Sequence, residues 1–294
     1  MKFSTIAVIY NPISTGPSES LAKEFVEKVT ARLPKQDIQL IATERANHAE
    51  SLAYDIAKKS EHALIISSSG DGGYNEVVNG AMKAQGEGSK VTTGLLPAGN
   101  ANDHFHNLNE KDIVELVVTG ETKTIDVLKI SSHSDGKPIE RYAHSYIGIG
   151  LTPIVGKELN KVKLNIFTEV WVVARALLRM KSVRLKINNK IRHYESIVFS
   201  NVDEMSKHLK ISAPSRVTDG EFEVTIFTRR DKLRLILVLL KASLGGVVQD
   251  ARVSRYELET VSKTLVQVDG EILSLDAGVQ ATVTIEKQAL SCIV

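Results

Sequence analysis

The sequence predicts an α/β fold class: an amino-terminal doubly wound parallel-sheet domain followed by a β-rich, β-sandwich-like second domain. Three observations predict it. Strand and helix patterns alternate over the first part of the chain, to about residue 126. Beyond Ile125 strand-like runs dominate. A glycine-rich turn, Ser69-Gly70-Asp71-Gly72-Gly73-Tyr74-Asn75, joins a buried-looking strand to a helix. The expected domains are 1–126, with a last strand at about 286–294 returning to it, and 127–285.

The elements follow in order. Ile6 to Tyr10 is a short β-rich run that ends at Asn11-Pro12. Ser18 to Leu33 has apolar residues at Leu21, Phe25, Val26 and Val29, a helical spacing. Ile38 to Ala42, Ala63 to Ile66 and Thr92 to Leu96 read as strands; Ala46 to Lys59 and Asn75 to Ala84 read as helices. Such alternation argues for a parallel sheet covered by helices, with ligands at the carboxyl ends of its strands. Four polar or glycine-bearing turns fall at such ends: Asn11 to Gly16, Thr43 to Ala46, Ser69 to Asn75, and Pro97 to Asp103. In the second part, strands are expected at Val127 to Ile130, Tyr142 to Ile149, Val183 to Ile187, Ser196 to Ser200, Phe222 to Phe227, Thr264 to Val268 and Ala281 to Ile285. Helical stretches are expected near Ile166 to Met180 and Lys232 to Leu244. A cleft between the domains is the expected site.

Composition narrows the class of function. With 294 residues the chain is long enough for two domains. A net charge of +2 gives no reason to expect nucleic acid. The single cysteine, Cys292, excludes an intrachain disulfide and fits a reducing compartment. Met1-Lys2-Phe3-Ser4 runs straight into a strand, so no signal peptide is expected. No apolar stretch reaches the roughly 18 residues needed to span a bilayer. The expected location is cytoplasmic, with any membrane reached from its inner face.

Gly70, Gly72 and Gly73 allow a sharp turn that no side chain blocks, and N–H groups opening a helix suit a phosphate. Asp71 would repel bare phosphate, so a metal ion or a proton-transfer role accounts for it. A second turn, Gly94-Leu95-Leu96-Pro97-Ala98-Gly99-Asn100-Ala101-Asn102-Asp103, also follows an apolar run.

With this pair of motifs the chain resembles the diacylglycerol kinase catalytic-domain family, in particular the soluble bacterial lipid kinases; sphingosine and ceramide kinases share the domain. The hallmarks are Gly-Gly-Asp-Gly-Thr followed by Asn-Glu, then Pro-x-Gly-Thr-x-Asn-Asp. The likeness extends to Asn11-Pro12 with Ser14 and Gly16, Ile125-Asp126, Pro214 with Asp219-Gly220, and Asp269-Gly270-Glu271. It implies ATP-dependent phosphorylation of a lipid hydroxyl, diacylglycerol to phosphatidic acid or a related lipid, at a membrane surface. The implied nucleotide contacts are Asn11, Thr43, Ser69 to Asn75, Gly99 and Asn100, with Mg²⁺ bridging phosphate oxygens. Glu271 is the implied general base, with Asp269 beside it on the same turn. Asp71, Asp103 and Asp126 are implied around the metal–phosphate centre. A separate structural Mg²⁺ is implied at the Asp219 carboxylate and the carbonyl oxygens of Arg216 and Glu221.

Each residue has a plainer reading. Thr43 suits a helix N-cap region and Asn11 a turn; Asp103 suits a cap and Asp126 a turn; Asp269-Gly270 suits a hairpin and Asp219-Gly220 a type I turn. The chain also departs from the family pattern: Ser69 replaces glycine, Gly73 and Asn100 replace threonines, and Pro17 stands where a basic residue is common. Lys161 or Lys163 is then a candidate source of positive charge. Leu233 to Leu240, flanked by Arg229, Arg230, Lys232, Arg234 and Lys241, reads either as a core helix or as a membrane-surface segment. Trp171 reads as core, and His104 and His106 as surface. Two alternatives to a lipid kinase stay open: a nucleotide-binding regulatory protein, favoured by Gly73 and Asn100, and a nicotinamide-nucleotide kinase. A homodimer is also left open.

Overall fold

The structure is a computed structural model that describes residues 2–14, 16–99, 102–108, 111–159, 171, 175, 182–202, 204–205, 209–210, 216–228 and 250–294. Two compact units divide the chain, Met1–Ile125 with Gln288–Val294, and Asp126–Lys287. The first carries β1 (Thr5–Tyr10), α1 (Ser18–Arg32), β2 (Asp37–Ala42), α2 (His48–Lys59), β3 (Ala63–Ser69), α3 (Asp71–Gly86), β4 (Val91–Pro97), α4 (Asp103–Leu108), α5 (Ile113–Thr119) and the start of β5 (Lys123–Ser134). The second continues with β6 (Lys137–Ala143), β7 (Tyr146–Gly150), α6 (Leu151–Leu159), β8 (Val183–Ile187), β9 (Lys190–Ser200), β10 (Glu204–Met205), β11 (Leu209–Lys210), β12 (Phe222–Thr228), β13 (Ala251–Val253), β14 (Arg255–Thr260), β15 (Thr264–Val268) and β16 (Glu271–Leu275). The last strand, β17 (Gln280–Ile293), begins in the second unit and ends in the first.

In the first unit the strands lie in the order β2-β1-β3-β4-β17, and every adjacent pair is parallel. Cys292 lies beside Thr93 in that ladder. Every residue of β3 is buried, as expected of a central strand covered on both faces. Ala22, Phe25 and Val29 of α1 pack with Ile113, Leu116 and Val117 of α5 over one face, and Ala49, Ala53 and Ala57 of α2 pack with Val77, Ala81 and Ala84 of α3 over the other. This is the doubly wound arrangement. The chain runs from β1 out to β2, then returns to place β3 on the other side of β1. The β1/β3 boundary is therefore the topological switch point, where a crevice opens beyond the strand ends.

Three local features differ from the sequence reading. α3 begins at Asp71, not Asn75, so the glycine loop shrinks to Gly70, an extended residue, and Gly72 and Gly73 enter the first helical turn. Packing of Val77 and Ala81 on the sheet outweighs the poor helix propensity of two glycines. α4 and α5 are additional helices. The ends of α5 carry recognisable signals: Asp112 accepts the Val114 N–H at 2.7 Å, and Gly120 closes the helix with φ +69°. In the second unit, Tyr142 to Ile149 is not one strand. It breaks at His144 and Ser145, whose N–H groups go to Asp269 rather than to a ladder.

The second unit is β-rich. Its strands pair antiparallel along β16-β15-β7-β9-β8-β14-β17, with β12 and β13 joined at β9 and with β6 paired to β5. Leu128, Ile147, Phe199, Phe222, Val266 and Val283 belong to one shared core. Trp171 is not core: its side chain is 59% exposed, with the Arg175 guanidinium 5.1 Å from the ring centroid. Lys161, Lys163, Pro214 and the apolar segment Leu233 to Leu240 lie outside the described residues. Among the described residues, no helix is long and apolar enough to cross a membrane.

Candidate functional site

A cavity of about 630 Å³ opens at the switch point of the first unit. Tyr10 lines it at the end of β1, Asn11 and Ile13 beyond that strand, Thr43 to Ala46 beyond β2, and Ser67 and Ser69 on β3, with Gly73 and Glu76 of α3. Three of the four anticipated turns thus share one cavity wall or its rim. The fourth turn packs directly behind. A side chain on Gly99 would collide with the Gly70 backbone, and one on Gly16 would collide with Ala98. Those glycines let three turns touch backbone to backbone.

Local hydrogen bonds fix this frame. The Asn11 carboxamide oxygen accepts the Ile13 N–H at 3.0 Å, and the Ser18 hydroxyl oxygen accepts the Asn11 N–H at 3.0 Å. Ser18 in turn donates to the Ser68 carbonyl, and the Ser68 hydroxyl donates to the Ser18 carbonyl at 2.6 Å. The Thr43 N–H donates to the Tyr10 carbonyl at 2.9 Å, holding the β2 exit against the β1 exit. Glu76, which the sequence reading did not single out as a site residue, lines the cavity and accepts the N–H groups of Asn47 and Ala49, each at 3.1 Å. It caps α2 from a neighbouring helix, since Asn47 supplies no side-chain cap of its own. The Glu that follows Asn75 in the motif was the available signal. Asn102 clamps the second turn: its carboxamide accepts from the Gly99 N–H and donates to the Gly99 carbonyl.

Not every anticipated nucleotide contact reaches the cavity. Tyr74 is fully buried, its hydroxyl 2.9 Å from Thr93 Oγ1 and its ring 4.7 Å from that of His104. It is a core residue. His104 is correspondingly buried, not at the surface. Asn75 is buried and accepts from the Asn79 carboxamide. Asp71 accepts the His104 N–H at 3.2 Å, so its carboxylate serves the first turn of α4. Gly70 forms the loop and Gly72 lies in the first turn of α3, and Asn100 lies outside the described residues.

In the second unit Asp269 and Gly270 turn the β15–β16 hairpin with φ of +43° and +93°. The Asp269 carboxylate is buried and accepts the N–H groups of His144 at 2.5 Å, Ser145 at 3.1 Å and Tyr146 at 2.8 Å. Burial pushes its pKa up to about 7, against the downward pull of the Tyr146, Ser145 and His144 N–H groups. His144 Nε2 lies 3.3 Å from the same carboxylate. Glu271, the first residue of β16, accepts from the Arg141 guanidinium at 3.0 Å and is partly exposed. Asp126 is buried and accepts the Gly220 N–H at 2.6 Å, while its own N–H donates to the Val217 carbonyl. It anchors the Asp219-Gly220 turn.

The oxygens anticipated around a structural Mg²⁺ are engaged by protein donors in this structure. The Asp219 carboxylate is paired with the Arg252 guanidinium, which also lies 3.2 Å from Glu221 and 3.6 Å from Glu223. The Arg216 carbonyl already accepts the Asp219 N–H. A guanidinium thus supplies the positive charge at these three carboxylates. Among the described residues, no group of three or more His, Cys, Asp or Glu side chains is arranged to hold a metal ion. Cys292 is buried, and burial pushes its thiol up to about 12, which removes it as a nucleophile.

Residues 5–130 match the diacylglycerol kinase catalytic domain. The chain carries that kinase domain. Over 282 residues, 90% of this chain and 81% of the relative, it is 25% identical to a diacylglycerol kinase of Staphylococcus haemolyticus. It is 24% identical to a diacylglycerol kinase of Bacillus subtilis over 287 residues, 90% of this chain and 88% of that one. Its fold matches the crystal structure of a diacylglycerol kinase from Bacillus anthracis with a TM-score of 0.72 at 19% identity, covering 100% and 97% of the two chains. Yeast NADH kinase, solved with NADH, shares the fold at a TM-score of 0.53 and 10% identity, covering 99% and 83%. The kinase-domain match covers β1 to the first two thirds of β5, and hence the whole cavity wall.

Proposed function

We propose that the protein is a lipid kinase that transfers the γ-phosphoryl group of ATP to a lipid hydroxyl, with diacylglycerol as the first acceptor to test. The cavity at the β1/β3 switch point carries this reading, because it joins the exits of three parallel strands to the glycine start of α3. The Gly72 and Gly73 N–H groups lack acceptors within the helix by position, and the helix dipole favours an anion there. Asn11, Thr43 and Ser69 add polar groups along the same wall. Magnesium, in this reading, travels with the nucleotide phosphates and offsets their charge.

Glu271 is the general base. As the lipid oxygen bonds to the γ-phosphorus, its proton passes to the Glu271 carboxylate and the bond to the ADP oxygen breaks. Arg141 orients that carboxylate, and Asp269 holds the hairpin that presents it. Asp71 and Asp269 are positioning residues, since each holds backbone N–H groups of another segment. The diacylglycerol kinase name of relatives spanning 90% of the chain supports the acceptor class.

Transfer from labelled ATP to vesicle-borne diacylglycerol, sphingosine and ceramide, and to NAD, tests the reading. Labelled phosphatidic acid is expected. Label on NAD alone would make the protein a nicotinamide-nucleotide kinase. ATP binding without transfer to any acceptor would favour a nucleotide-binding regulator.

A further inference from the structure

We infer that positions 69 and 73 share a single side-chain slot on the cavity wall, and that Ser69 fills it with a hydroxyl that donates to a phosphate oxygen of the nucleotide. The inference rests on the proposed nucleotide site and names a donor within it.

The steric half is geometric. Ser69 ends β3 and Gly73 is the third residue of α3, so strand and helix meet across Gly70. A Cβ built on Gly73 would lie 2.5 Å from Ser69 Oγ and 2.7 Å from Ser69 Cβ. Both distances fall well inside van der Waals contact, and the second involves an atom that no rotamer change can move. The strand offers no slack either, because Ser68 is tied to Ser18 in both directions. One side chain fits, and it comes from the strand.

The chemical half follows from where that side chain sits. Ser69 and Ser67 point to the same face of β3 by strand alternation, and both line the cavity. Their hydroxyl oxygens are 2.7 Å apart, and Ser69 Oγ is 3.0 Å from the Gly70 carbonyl. A hydroxyl donates one proton and accepts through two lone pairs. Ser69 can therefore turn its proton from the Gly70 carbonyl to an incoming phosphate oxygen while Ser67 donates to Ser69 Oγ. The Gly72 and Gly73 N–H groups approach the same anion with no Cβ at 73 in the way. Two backbone donors and one hydroxyl then meet the phosphate, and no proton is gained or lost by the protein.

A mutant cycle on the full chain tests both halves, with ATP affinity read by titration calorimetry and folding by thermal melting. Ser69→Ala is expected to weaken ATP about tenfold, the effect of one hydrogen bond to a charged group, with little change in melting temperature. Gly73→Thr alone is expected to lower the melting temperature by several degrees and to weaken ATP. Ser69→Gly with Gly73→Thr moves the hydroxyl across the slot and is expected to recover most of the affinity lost in Ser69→Gly, together with parental melting. Wild-type affinity in Ser69→Ala would overturn the donor role. Additive melting effects of Ser69→Gly and Gly73→Thr would overturn the shared slot. A parent chain that binds no ATP overturns the proposed function, and the donor role with it, whereas the melting cycle still decides the slot.

Discussion

Asp71 follows a strand of a parallel sheet and Asp269 a strand of an antiparallel one, and the two Asp-Gly turns are built in opposite ways. After β3, Gly70 stays extended and Asp71 starts a helix, because the parallel neighbour lies a crossover away. After β15, Asp269 and Gly270 both take positive φ and the chain doubles back at once into β16. Yet both carboxylates do the same work. Asp71 takes the N–H of His104, and Asp269 takes those of His144, Ser145 and Tyr146. Asp126 does likewise with Gly220. An acidic residue in a motif can thus hold a neighbouring loop. What distinguishes Glu271 is its partly exposed position beside the Arg141 guanidinium.

Chemistry separates Glu271 from Asp269 most widely. Glu271→Gln keeps the size of the side chain and removes its proton affinity, so kcat is expected to fall by roughly 10²- to 10⁴-fold with melting unchanged. Steady-state transfer to diacylglycerol vesicles reads this. A variant as fast as the parent would remove Glu271 as the base and collapse the contrast with Asp269.

Asp269 should answer in stability instead. Asp269→Asn places an amide NH₂ against backbone donors and is expected to cost about 2–3 kcal/mol in chemical denaturation. Its pH dependence carries a sign. The unfolded carboxyl titrates near 3.9 and the folded one near 7. The folded state therefore binds the proton more tightly. That contribution to stability is complete below about pH 4 and is lost as pH rises to about 7. The stability difference between parent and Asp269→Asn is expected to narrow from pH 5 to pH 7 and to stay flat above. A difference that widens over this range would mean that the three N–H groups outweigh burial.

Much of this was legible in the sequence because it is written in local pattern. Alternating periods mark the parallel half, and glycines mark the turns that touch, as at Gly70 and Gly99. Residue pairings made by long-range contact were not legible. Nothing near Tyr142 to Ile149 announces that Asp269, more than a hundred residues away, takes three of its N–H groups. Tyr74 reads as part of a ligand loop until α3 is seen to start at Asp71, which turns the side chain toward Thr93. Ser69 and Gly73 read as two separate departures in sequence, and only the 2.5 Å approach shows that they are coupled. Trp171 misled in the other direction, since composition alone cannot distinguish a core tryptophan from one covered by Arg175.

The smallest expected effect concerns the second unit's turn at Asp219, and it extends the comparison to a metal. If Arg252 supplies the positive charge at Asp219, Glu221 and Glu223, then millimolar Mg²⁺ or a chelator should leave the parent's melting temperature unchanged within about 1 °C, since a ligand stabilises only what it binds. Arg252→Met keeps the aliphatic stem and removes the charge. Glu223 is buried, so it loses a partner where water cannot fully replace it, whereas Asp219 and Glu221 are partly solvated and contribute less. The expected cost is about 1 kcal/mol, with Mg²⁺ recovering part of it by neutralising the same carboxylates. A parent protein that melts higher in Mg²⁺ would show that a cation displaces Arg252. The turn would then be a metal site after all, held in place by Asp126 from below.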